Sequence, residues 1–178
     1  VGSPRYGYRQ SGAVQVFNYS ESSNSWTLFY SIYKNSPDYF EFGESVSLSN
    51  DGTILAVGSG MSGYQSNEQQ VKTYHQVYKK TGNNYTQLGD NIAQEYYKDE
   101  HSMLQLSGDG NRLVIGAKEN PGNSSCDDCD RGHVRVYENV NDNWIQIGSD
   151  IDGEKNYDNL GYSLSISDDG NFIAVGSP

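Results

Sequence analysis

The side chains best suited to chemistry are few and scattered. Cys126-Asp127-Asp128-Cys129 holds both cysteines of the 178-residue chain. Two thiols at this spacing serve as a redox centre, as half of a zinc site, or as a local disulfide. A redox centre needs a helix N-terminus in a βαβ setting to lower a thiol pKa, and no helical periodicity accompanies these residues. Zinc needs four ligands, and His133 would bring the count only to three. In an oxidising compartment the expected state is a disulfide stapling an acidic loop, with a bond from each cysteine to a partner chain as the alternative.

Asp150-Ile151-Asp152-Gly153, with Asp158 beyond it, has the composition of a calcium loop. The spacing after the glycine does not fit an EF-hand, so a structural turn is expected. Asp127, Asp128 and Asp130 read as solvated surface, with weak cation holding as the alternative. His75, His101 and His133 fall in different segments, and His75 and His133 are expected to point outward. No Ser–His–Asp order and no helical His-Glu pair is present, so nothing specific points to catalysis. Carboxylates pair by abundance alone, which leaves a glycan-active enzyme without residues of its own. No metal and no cofactor is expected.

Composition narrows the classes further. A net charge of −11 argues against nucleic acid, which needs a basic stripe, and against anionic membranes. Apolar content is only 34%, yet there are 15 Tyr and 20 Gly. Tyr buries a ring while keeping its hydroxyl wet, which suits strands and binding faces. No apolar run is long enough to span a bilayer. Three Asn-x-Ser/Thr sequons begin at Asn18, Asn84 and Asn123. Together with the acidity and the tyrosines they favour an extracellular or cell-surface setting.

The elements that must position these groups repeat. Val1-Gly2-Ser3-Pro4 recurs as Val57-Gly58-Ser59, as Ile115-Gly116-Ala117, and as Val175-Gly176-Ser177-Pro178, at steps of 56, 58 and 60 residues. Such a period marks a propeller, a solenoid or an array. Each unit carries four strand-like segments. Segment A alternates apolar and small polar residues: 45–49, 103–107 and 163–167. Its serines are expected to line a crowded, partly wet centre. An Asp-Gly turn follows at 51–52, 109–110 and 169–170, the strongest short hairpin signal. Segment B is a short apolar run, 54–57, 113–115 and 172–175, and reads as buried on both faces. Segment C alternates again at 13–17, 75–78 and 133–137. Segment D opens on Trp26, Tyr85 or Trp144. Four short antiparallel strands per unit describe a propeller blade.

These residues resemble the FG-GAP repeat family of β-propellers, best known from integrin α-subunit heads. Phe42-Gly43 and Leu160-Gly161 open segment A, and Gly132-His133-Val134-Arg135-Val136-Tyr137 fits the family's Gly-x-Val-x-Val-Tyr/Phe. Trp144-Ile145-Gln146-Ile147-Gly148-Ser149-Asp150-Ile151-Asp152-Gly153 is similar to an extracellular variety with Trp-x-x-x-Gly-x-x-Ile. The likeness runs over essentially all of residues 1–178 and implies an all-β chain of three blades, with boundaries near 42, 101 and 160. Two features depart from the pattern. Glu100-His101 stands where Phe-Gly is expected, and the A–B turns are too short to supply the six or more oxygens of a calcium site. The family's calcium sites are therefore not carried over.

Propellers have about four to eight blades. Three units imply a partial propeller, a fragment of a longer one. Alternatives are two copies joined in a six-bladed ring, or an open array. In family phase the chain holds C and D of one blade, two full blades, and A and B of another.

Antiparallel strands send the B–C and D–A connections to one face. The former run near 3–11, 59–70 and 118–131, the latter near 33–41, 93–100 and 152–159. They carry Tyr6, Tyr8, Tyr33, Tyr39, Phe40, Tyr64, Tyr96, Tyr97 and Tyr157. Aromatic rings on loops held by a rigid scaffold suit recognition of a protein or glycan. Packing among the loops, or against further blades, is the competing reading. The expectation is a non-enzymatic extracellular module for adhesion or recognition, with a structural subunit of a filament or coat as the alternative.

Overall fold

The computed structural model describes residues 1–3, 12–34, 41–60, 74–93, 102–122 and 129–178. Its described strands form four antiparallel sheets, and no described residue is helical. The first sheet runs β1 (Gly2–Ser3), β2 (Ala13–Ser20), β3 (Ser25–Tyr33). The second runs β4 (Ser45–Leu48), β5 (Ile54–Gly58), β6 (Tyr74–Thr81), β7 (Asn84–Gln87), and β8 (Ile92–Ala93) also pairs with β6. The third holds β9 (Met103–Leu106), β10 (Arg112–Ala117), β11 (His133–Val140) and β12 (Asn143–Asp152). The fourth is the hairpin β13 (Ser163–Ile166) and β14 (Ile173–Gly176). Segments A to D thus fall on successive strands. Gly89, at φ +75°, separates β7 from β8, whereas β12 runs unbroken through Gly148 at φ +73°.

The Asp-Gly turns are built alike. Asp51, Asp109 and Asp169 each accept from the serine two residues back, at 2.6–2.7 Å. Each also accepts the backbone N–H two residues on, at 2.9–3.1 Å. The following glycine takes φ of 68–73°, where a side chain would be strained. The Ser167 hydroxyl, then the N–H of Asn171, hold the Asp169 carboxyl at about 2. These carboxylates are committed to shaping their own turns.

The core is laid down between successive sheets. Val14 and Phe42 pack with Leu55, Val57, Tyr78 and Tyr85. Ile54, Ala56, Val77, Leu88 and Ile92 pack against Leu104, Leu106, Leu113 and Ile115. Val114 and Val134 meet Ile166. Each fully buried Leu or Phe here contributes about 1.5–3 kcal/mol. β5 and β10 are buried along nearly their whole length, as their continuous apolar runs require.

Close backbone approach locks each sheet to the next. Gly12 forms a parallel bridge with Phe42, and Gly132 forms one with Leu160. A methyl group on Gly2 would lie 1.8 Å from the Gly43 carbonyl oxygen, so glycine is obligatory there. The Val-Gly and Phe-Gly motifs are therefore two halves of one contact.

Two expectations are corrected. The β4 serines of segment A are engaged by the next sheet: Ser45 is buried, and its Oγ accepts the Leu104 N–H at 3.1 Å, while Ser47 Oγ accepts that of Leu106 at 3.0 Å; Ser163 and Ser165 of β13 are exposed. Serine suits this face because it satisfies an edge-strand amide of the next sheet. The histidines do not point outward either. His75 and His133 are both buried, because their strands are covered on two faces by neighbouring sheets.

Candidate functional site

The B–C and D–A connections of the third unit meet at their described ends. Cys129 accepts the Tyr157 N–H at 2.8 Å, Asp130 accepts that of Asn159 at 3.0 Å, and Arg131 that of Leu160 at 2.9 Å. Arg131 Nε also donates to Asn156 Oδ1 at 3.0 Å. Gly153 packs so tightly that a Cβ would lie 2.0 Å from the Arg131 carbonyl oxygen. The two loops therefore form one ledge. Cys129 is buried and disulfide-bonded, which anchors the acceptor side. Its expected partner Cys126 lies outside the described residues.

Tyr157 stands out on this ledge. Its backbone takes φ +69°, an uncommon value for a bulky residue. The residue is 64% exposed, although the surrounding backbone is tied down on both sides. Tyr33, at the end of β3, and Tyr162, beside β13, are half exposed as well. Lys118 lies 5.7 Å from the centre of the Tyr162 ring. The other recognition candidates, Tyr6, Tyr8, Tyr39, Phe40, Tyr64, Tyr96 and Tyr97, lie outside the described residues, as does the sequon Asn123. Asn18 and Asn84 are exposed on β2 and at the start of β7.

A charged group lies inward of the ledge. Arg135 Nε and Nη2 grip Asp150 at 2.9 and 2.6 Å, and Gln146 donates to the same carboxylate at 2.7 Å. The Arg135 hydrogen bonds, aided by Gln146, hold the Asp150 carboxyl at about 2. His133, Asp150 and Asp152 bring ligand atoms within 4.8 Å of one another. A cation there would face the Arg135 guanidinium at close range, so the group reads as an ion pair. Asp150 therefore belongs to strand β12 and braces the sheet, and does not form the turn expected around it.

Beyond it, His75, His133 and Arg135 line a cavity of about 20 Å³, too small for a sugar or a peptide side chain. Neither ring nitrogen of His75 has a partner among the described residues, and burial lowers its pKa to about 4. Sequence reasoning missed the Arg135–Asp150 pair and the burial of His75. Alignment of segment C across the units holds the signal for the second, since two of the three units have valine at that position.

No protein-family model and no curated protein matches the chain. The functional reading therefore rests on its own geometry.

Proposed function

We propose that the chain is a run of β-propeller blades of the FG-GAP kind that recognises a protein or glycan outside the cell, without enzymatic activity. The carrying observation is the ledge where the Tyr157 N–H binds the carbonyl of disulfide-bonded Cys129 and the ring projects into solvent. A disulfide, exposed sequon asparagines and excess negative charge support the extracellular setting. Docking of Phe42-Gly43 and Leu160-Gly161 against the preceding Gly-x-Val strands supports the blade reading.

The test is binding of the secreted chain to immobilised glycans and extracellular matrix proteins. Tyr157→Ala is expected to lose about tenfold or more in affinity, the cost of removing an aromatic anchor. Binding to neither class, or equal binding by the variant, overturns the proposal. Secretory expression should also add glycan mass that Asn18→Gln and Asn84→Gln remove.

A further inference from the structure

Among the described residues, one arginine of the Tyr157 ledge stays without a carboxylate. Three arginines are described. Arg112 is held by Glu138 at 3.2 Å, and Arg135 by Asp150 at 2.6 Å. Arg131 has no such partner there, although the chain holds 23 acidic residues against 12 basic ones. Its side chain makes one hydrogen bond among the described residues, from Nε to Asn156 Oδ1 at 3.0 Å. Nη1 and Nη2 make none there.

This guanidinium is held in place all the same. A Cβ built on Gly122 would lie 3.5 Å from Arg131 Cβ and 3.6 Å from its Cδ, so the stem runs over that glycine. Asn156 fixes the Nε side, and the Arg131 carbonyl takes the Leu160 N–H. A guanidinium anchored along its stem and at Nε offers its outer N–H groups as a ready fork. That fork takes a carboxylate by two parallel hydrogen bonds. Asn156 also immediately precedes the exposed Tyr157, so fork and aromatic residue belong to one short stretch of the ledge.

The repeat carries the same pairing. Tyr157 stands four residues before Gly161, and Tyr39 and Tyr97 hold that place in the other two units. Arg131 stands three residues before Val134, and Lys72 three before its counterpart His75. Charge narrows what the fork accepts. Asp130, Asp152, Glu154 and Asp158 lie in the same two loop ends and repel a dense polyanion. One carboxylate on an otherwise neutral ligand is balanced by the one guanidinium. A sugar ring is such a neutral body, and its C–H face stacks on an aromatic ring.

We infer that the ledge recognises a glycan ending in a sugar with a single carboxylate, of the uronic or sialic acid type. Arg131 Nη1 and Nη2 donate to the two carboxylate oxygens, Asn156 keeps the guanidinium in that orientation, and Tyr157 covers a face of the sugar. The inference rests on the ledge as the binding site and adds the chemistry of its ligand.

Isothermal titration calorimetry of the 178-residue chain tests this. The probes are an oligosaccharide capped with glucuronic acid, one capped with sialic acid, the methyl ester of each, and the uncapped neutral oligosaccharide. At least one acid is expected to bind. Its ester, which keeps the ring and removes the charge, is expected to bind about tenfold or more weakly. Arg131→Met keeps an apolar stem over Gly122. It is expected to retain the parent far-ultraviolet spectrum and to bind acid and ester equally. Arg131→Lys, a point charge without the fork, is expected to recover only part of the preference. Tyr157→Ala is expected to weaken acid and ester alike. A preference for the acid that survives Arg131→Met overturns the inference. Ester binding as tight as acid binding, and lost in Tyr157→Ala, also overturns it while glycan recognition at the ledge stands. An acidic peptide that binds through Arg131 where no acidic sugar does overturns it too. So does failure of every sugar, and a matrix protein that still binds through Tyr157 then keeps the ledge as a binding site.

Discussion

His75 in β6 occupies the position that Val134 holds in β11. Val57 pairs with Gln76 as Ile115 pairs with Arg135, so the residues just before them align. Val14 fills the same place in β2, opposite Gly2. Two units place an apolar side chain between the sheets, and the other places an imidazole with no partner among the described residues. Burying an unsatisfied polar group costs about 1–3 kcal/mol.

His75→Val is therefore expected to stabilise the chain by about 1–2 kcal/mol near pH 7. The sign of the pH effect follows from the lowered pKa. Unfolded His titrates near 6.5, while burial puts the folded value at about 4. Stability is complete above pH 6.5 and falls as the pH drops toward 4, by on the order of 3 kcal/mol in total. Urea titrations of both proteins at pH 7 and pH 5 check this. A variant with the parent's loss of stability between those values shows that His75 is not the responsible group.

Gly110→Ala is expected to cost more than Gly52→Ala. Both glycines sit in Asp-Gly turns at positive φ, +73° and +68°. Alanine at either pays about 1 kcal/mol of backbone strain. A Cβ at Gly110 would also lie 2.8 Å from Ile54 Cγ1, whereas at Gly52 it meets nothing within 4 Å. The urea midpoints of the two variants should separate in that order, and equal midpoints contradict the packing of this turn against Ile54.

How far the sequence shows this architecture depends on the residue. The strand order and the turns at Asp51, Asp109 and Asp169 are legible because they rest on local rules of period, turn chemistry and propensity. Tyr157 is legible as a loop aromatic for the same reason. Its left-handed backbone is not, because that comes from hydrogen bonding to Cys129 at a distance in sequence. Period-two alternation puts Val46 and Ser45 on opposite faces, but only the packed sheets tell which face is covered. Ser45 reaches a neighbouring amide, and Val46 is left partly open. Likewise, nothing local to Arg135 announces that a bulge between Val134 and Val136 precedes its grip on Asp150.

Ser45→Ala should destabilise more than Ser47→Ala. The Ser45 hydroxyl accepts the Leu104 N–H in a buried setting, whereas the contact of Ser47 with Leu106 is only partly buried. Removing the first acceptor strands a dry amide, at a cost of about 1–2 kcal/mol. Water can replace more of the second. Amide exchange gives a direct reading: Leu104 should lose protection in Ser45→Ala while Leu106 keeps it. Unchanged exchange at Leu104 would refute the cross-sheet bond.

Asp150→Ala is expected to be worse than Arg135→Met. Arg135 is buried and held by both Asp150 oxygens. Removing the carboxylate leaves a guanidinium out of water without its counter-charge, a loss of about 3 kcal/mol, while methionine replaces the guanidinium with packable apolar atoms. The folded pKa of Asp150, about 2, lies below its ordinary 3.8. Its contribution is thus complete above pH 4 and disappears as the pH falls toward 2. The gap between Asp150→Ala and the parent should narrow over that window in thermal melts. A gap that stays constant from pH 6 to pH 2 would assign the loss to packing and not to the charge pair.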